Sequence, residues 1–210
     1  FVPALKQEIK INQAASYYKE GNGNKLLYGL HGYGQLAKYF IRKFLPATEQ
    51  GYTVVAPEGQ HYFYLKGTSG RVGASWMTKE NREQDIANYL TYLSTIHTGL
   101  TTKNEWDEIV VIGFSQGVAT AFRWLMESDI KPNKFLICSG LVPPDIDLNI
   151  HKAIFESIKM TYFSGINDPY GSEDAVQEFY NAIASSKLDM ELVTFDGAHE
   201  VNIEKVIAQL

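Results

Sequence analysis

Apolar residues along the chain come in two rhythms. Short, largely apolar runs recur at Lys25–Leu30, Tyr52–Ala56, Ile109–Ile112, Lys134–Ser139, Lys159–Ser164 and Met190–Phe195, and the one at Ile109–Ile112 is wholly β-branched. Runs of this length and make-up predict strands buried on both faces, as in a parallel sheet. Between them lie stretches with apolar residues every three or four positions, which predict amphipathic helices. These are Leu36 to Leu45 stopping at Pro46, a helix through Ile86, Tyr89, Leu90, Leu93 and His97 capped by Thr78, and Val118 to Met126. Ser172 then caps a helix carrying Val176, Phe179, Tyr180 and Ile183, and Ile203, Val206, Ile207 and Leu210 form a closing one. Ahead of these, Lys6–Ile11 and Ala15–Lys19 read as an antiparallel edge hairpin. Strands alternating with helices call for an α/β fold, a mostly parallel central sheet with helices on both faces, preceded by N-terminal antiparallel strands. With no linker or repeat, residues 1–210 read as one domain.

One strand ends unusually. Ile109-Val110-Val111-Ile112 runs straight into Gly113-Phe114-Ser115-Gln116-Gly117 and then into helix-forming residues. A strand, a sharp turn and a helix in that order lift a serine hydroxyl clear of the sheet. The turn crowds the backbone two residues before and after the serine, and glycine stands at both places. The alternative is a strand-to-helix turn that needs its glycines for packing alone. In a nucleophile elbow, Ser115 is the attacking group, and it needs a base. Of the five histidines, only His199 follows the last strand, where a base belongs in the order serine, acid, histidine. The acid belongs at a strand end between the two. Asp168, in a tight turn after Lys159–Ser164, is the first candidate, and Asp145 and Asp147 are its rivals. The loop after the third strand, His31-Gly32-Tyr33-Gly34, lets backbone approach a substrate closely. With the residue after the serine it offers an oxyanion hole from the N–H groups of Tyr33 and Gln116.

The stretch from Pro57 to Met77 has no clean period and is rich in glycine and aromatics. It reads as a loop roofing a cleft. Trp76 and Met77 from it, with Leu141 and Val142 after the sixth strand, are candidate pocket walls.

Composition narrows the picture. A net charge of −5 without a basic run argues against a nucleic-acid partner, and no apolar run is long enough for a transmembrane segment. The single cysteine, Cys138, allows no intrachain disulfide and reads as a buried core thiol. These features fit the cytoplasm. The start at Phe1-Val2-Pro3, without methionine, leaves a removed signal peptide open, and pairing with a second copy as a homodimer is open too.

Taken together, Leu30-His31-Gly32-Tyr33-Gly34, Gly113-Phe114-Ser115-Gln116-Gly117, Ser139-Gly140, Gly165-x-x-Asp168 and Gly197-Ala198-His199 resemble the phospholipase/carboxylesterase family of small α/β-hydrolases, which includes the acyl-protein thioesterases. The resemblance covers nearly the whole chain. Val118 departs from it, where a further glycine is usual, as do Pro169-Tyr170-Gly171 after the acid and the stretch from Gly59 to Trp76. It implies the α/β-hydrolase fold with little or no cap and a Ser115–Asp168–His199 triad. It also implies cleavage of small-molecule carboxylic esters or thioesters without metal or cofactor. A non-catalytic binding protein on the same scaffold is the competing class.

Overall fold

The structure, a computed structural model, describes residues 2–210. Seven strands form the main sheet: β1 (Tyr17–Glu20), β2 (Lys25–Leu30), β3 (Tyr52–Pro57), β6 (Glu108–Phe114), β7 (Lys134–Cys138), β8 (Lys159–Gly165) and β9 (Met190–Phe195). They lie in the order β1-β3-β2-β6-β7-β8-β9, and only β1 runs antiparallel. A separate antiparallel ribbon holds β4 (His61–Tyr64) and β5 (Val72–Ser75).

Five of the apolar runs became inner strands because both sheet faces are covered, whereas the sixth, β9, lies at the edge with Leu192 exposed. Along β2, Leu26, Tyr28 and Leu30 face one core, packed under α2 (Arg82–Thr101), α3 (Gln116–Glu127) and α5 (Glu173–Ser185). Leu27 faces a second core with Phe40, Phe44 and Val206, under α1 (Ala37–Phe40) and α6 (Ile203–Ile207). Gly29 shares that second face, and a Cβ there would stand 3.2 Å from the Phe44 ring. β2 is the switch point of the sheet. The chain leaves it toward β3 on one side and returns through β6 to β9 on the other. Loops at the carboxyl ends of β2 and β6 therefore diverge and leave a crevice between them.

Several expectations need correction. Residues 6–11 form no strand, and Ile9 and Ile11 are exposed. Tyr17–Glu20 pairs with β3 rather than with a hairpin partner and is itself the edge of the sheet on that side. The first helix does not stop at Pro46. A 3₁₀ stretch, Ile41–Gln50, continues through it and ends at Gly51, in the left-handed region at φ 86°. Its Leu45 carbonyl accepts the Thr48 hydroxyl at 2.7 Å. Thr78 caps nothing: α2 starts at Arg82, and the Thr78 amide donates to the Asp85 carboxylate. His97 is not free helix surface, since it is half-buried, bonded to the Tyr28 hydroxyl and edge-on to Trp124. The aperiodic stretch 57–77 holds the ribbon. A short helix, α4 (Lys152–Phe155), had no pattern to reveal it. Among the described residues, no helix is long and apolar enough to cross a membrane.

Gly29→Val should overpack Phe40 and Phe44. A loss of about 1–3 kcal/mol is expected, with a melting midpoint lower by about 2–4 °C for each kcal/mol. An unchanged melting curve would contradict this packing.

Candidate active site

The crevice at the strand ends is built from backbone fit. Glycine is forced at the turn after β6. A Cβ on Gly117 would stand 2.2 Å from the Leu30 carbonyl oxygen, and one on Gly113 would stand 2.8 Å from the Val118 Cα. Between them Ser115 is held at φ 52°, with its amide bonded to the Cys138 carbonyl. This left-handed backbone is costly for a residue with a Cβ. It aims the side chain out of the sheet at the start of α3. Val118 is accommodated by Gly140, where a Cβ would come within 2.5 Å of the valine side chain.

The loops after β8 and β9 are laced together. Ile166 and Asn167 donate backbone N–H groups to the Phe195 and Gly197 carbonyls, at 3.0 and 2.9 Å. That lacing brings Asp168 and His199 side by side. Asp168 Oδ2 accepts from His199 Nδ1 at 2.8 Å, and its Oδ1 accepts the Tyr170 amide at 2.8 Å. On the other side of the ring, His199 Nε2 lies 2.9 Å from Ser115 Oγ. With Nδ1–H donating to a carboxylate, Nε2 is left as the acceptor for the serine proton. The Asp168 side chain is 6% exposed and that of His199 21%. Phe114 and Tyr170 flank the imidazole, with ring centroids 5.0 and 4.8 Å away.

The expected oxyanion donors also stand at this crevice. Gly32 packs on the serine, where a Cβ would be 3.2 Å from that of Ser115. Gly32 N–H donates to Gln35 Oε1 and Gly34 N–H to the Ala74 carbonyl. Among the described residues, the intervening Tyr33 N–H and the Gln116 N–H have no protein acceptor.

Two side chains brace this region that sequence reasoning passed over. His31 is fully buried. Its Nε2 accepts the Gly59 amide and its Nδ1–H donates to the Gly32 carbonyl. Burial lowers its pKa and keeps the ring neutral, as that bonding requires. The Gln116 side chain accepts from Trp76 N–H at 3.0 Å and donates to the Met77 carbonyl at 3.0 Å. It ties the end of the ribbon to the elbow. Their signal was position: one follows β2 directly, the other follows the serine.

The remaining candidates fall elsewhere. Trp76 is no pocket wall. It is 1% exposed, stacked on His31, with its indole N–H on the His31 carbonyl. Its large apolar surface was worth more in the core than in a cleft. Met77 is half-buried with its sulfur 3.6 Å from Arg123 Nη1. Leu141 is exposed beside Gly140, and Val142 packs against the first core. The rival acids are otherwise engaged. Asp145 receives both Arg123 Nε and Nη2, at 2.9 and 2.7 Å, and Asp147 caps the Asn149 amide. Of the other histidines, His61 pairs with Asp85 and His151 precedes α4. Cys138 is wholly buried, which pushes its thiol pKa far up.

A mostly parallel sheet with a serine elbow at its switch point defines an α/β-hydrolase. More narrowly, residues 22–209 match the family model described as Serine hydrolase (FSH1), and the chain belongs to that family. No curated protein matches the chain in sequence. Among solved structures it is similar to esterase PE8, with 17% identity, 93% of this chain and 97% of that one covered, and a TM-score of 0.72. It is also similar to a phospholipase/carboxylesterase from Dyadobacter fermentans DSM 18053, at 16% identity, 93% and 95% coverage and a TM-score of 0.66. An uncharacterized protein from Bacillus cereus ATCC 10987 matches at 15% identity and a TM-score of 0.71. That match covers 97% of this chain, which spans 61% of that protein's length. At these identities the likeness is one of fold, and the phospholipase/carboxylesterase resemblance extends that far.

The Asp145 contacts give a pH signature. Hydrogen bonds from Arg123 hold its carboxyl pKa down to about 2. A depressed carboxylate contributes stability that is present above its unfolded pKa of about 4 and is lost as pH falls through the folded value. Asp145→Asn should therefore lower the melting midpoint at neutral pH, and the gap to wild type should close toward pH 2. A gap independent of pH would argue that the pair contributes through packing alone.

Proposed function

We propose that the protein is a carboxylesterase-type serine hydrolase that cleaves esters of small to medium acyl chains through an acyl-enzyme. The observation that carries this reading is the continuous hydrogen-bonded line from Asp168 through His199 to Ser115, at 2.8 and 2.9 Å. Ser115 Oγ bonds to the ester carbonyl carbon as its proton passes to His199 Nε2. The carbonyl electron pair moves onto oxygen, facing the Tyr33 and Gln116 N–H groups. Collapse expels the alcohol, which takes the proton from His199. Water then attacks the acyl-serine, gives a proton to His199, and the departing serine oxygen recovers it. Asp168 keeps the imidazole in the one tautomer that can accept from serine and stabilises its cation.

Family membership supports hydrolysis by a serine. The choice of ester over thioester or lysophospholipid is a matter of pocket shape, and it rests on the partly exposed Ser115 and the exposed Leu141 that follows Gly140. The proposal covers Leu141 as a wall for the acyl group. It includes neither a metal nor a cofactor in any step.

Ser115→Ala should lower kcat on p-nitrophenyl esters by on the order of 10⁶, with the fold intact by circular dichroism. A loss below about tenfold would remove Ser115 as nucleophile. His199→Ala should lower kcat by a comparable order, and a loss below about tenfold would remove His199 as the base. In an acetate-to-palmitate series the optimum should lie among the shorter chains. Failure of a fluorophosphonate to label Ser115 would favour the binding-scaffold reading.

A further inference from the structure

Beside the crevice lies a groove that the proposed chemistry does not use. It has a volume of about 660 Å³ and runs between α1 with the start of the 3₁₀ stretch on one side and the turn of the β4–β5 ribbon on the other. Its floor is apolar, with Leu36, Phe40 and Val72. Its rim carries Lys38, Lys43 and Arg71, and no acidic residue lines it. Among the described residues, none of these three cations is in an ion pair. On a chain of net charge −5, three unpaired cations around one concavity are a local reversal of the field.

The groove neighbours the crevice along the chain. Gly34 and Gln35 line it, and they follow Gly32, the residue packed on Ser115. Two residues of chain span at most about 7 Å, so the near end of the groove, at Gly34, lies on the order of 10 Å from Ser115. The ribbon wall is fixed rather than loose. Gly34 N–H and the Gln35 carbonyl bond to both polar groups of Ala74, at 2.8 and 3.0 Å.

We propose that this groove seats a negatively charged group of the substrate, so that the ester cleaved at Ser115 carries a carboxylate or phosphate remote from the scissile carbonyl. The proposal rests on the esterase reading for its chemistry, but not for its binding. The apolar floor takes the carbon chain between the two charges or dipoles, and the cationic rim takes the anion.

The test compares matched ester pairs in wild type and in a Lys38→Gln/Lys43→Gln/Arg71→Gln variant. One pair is p-nitrophenyl hemiesters of dicarboxylic acids against their methyl-capped counterparts. The other is short-chain acyl esters of glycerol phosphate against those of glycerol. Wild type at low salt should favour the anionic member of at least one pair by about tenfold in kcat/KM. The pair that responds identifies carboxylate on the acyl side or phosphate on the alcohol side. The triple variant and high salt should both bring that ratio near one, leaving neutral esters unaffected. A ratio near one in wild type for both pairs, or a preference that survives the triple variant, overturns the proposal. If no ester turns over and a fluorophosphonate fails to label Ser115, it is the esterase reading that has failed. Calorimetric titration with inorganic pyrophosphate then decides the groove alone. Binding lost in the triple variant upholds it, and no binding, or equal binding, refutes it.

Discussion

The contact on which the arrangement depends is that of the end of β2 against the first turn of α3. Gly117 sits so close to the Leu30 and His31 carbonyls that no side chain fits between them. Because β2 and β6 are paired in register up to Leu30 and Gly113, this contact fixes both loops of the crevice at once. It sets how far Gly32 reaches over Ser115 and where the Tyr33 and Gln116 amides stand. A larger residue at Gly117 would have to push the helix from the sheet. The serine, the amides and the imidazole partner would then lose their common centre.

A second tier of contacts converts this backbone fit into a defined site. The paired loops after β8 and β9 bring Asp168 and His199 into hydrogen-bond contact. The His31 and Gln116 side chains do similar work on the other flank, where each holds two backbone groups of neighbouring segments. The site is thus assembled mostly by main-chain hydrogen bonds and the few side chains that bridge them, while the two hydrophobic cores hold the sheet beneath it.

The inner strands were legible because burial on both faces leaves an apolar run that few other structures need. The elbow was legible because Gly113 and Gly117 answer a steric demand at fixed spacing from a serine. Asp168 and His199 were found by chain order at strand ends, a rule about topology rather than about their neighbours. What stayed hidden depends on partners distant in sequence. Residues 6–11 alternate like a strand, yet they stay unpaired although β1 has an open outer edge, and their Ile9 and Ile11 side chains are exposed. Trp76 looks like a cleft aromatic until its indole N–H is seen to serve the His31 carbonyl. The cationic rim draws on Lys38, Lys43 and Arg71, which are scattered in sequence and gathered only by the turn of the ribbon.

The left-handed backbone at Ser115 has an evolutionary corollary. At that conformation glycine is free of strain and any side chain carries a cost of about 1 kcal/mol or more. Drift under selection for folding alone would erode the hydroxyl in favour of a bare Cα. A serine at this turn is therefore a residue that folding stability alone does not favour, as it does not favour Lys187, held at φ 56°. The same strain makes the position a sensitive marker of descent. A relative that had given up the chemistry would be free to relax here first, before its core or its sheet recorded the change.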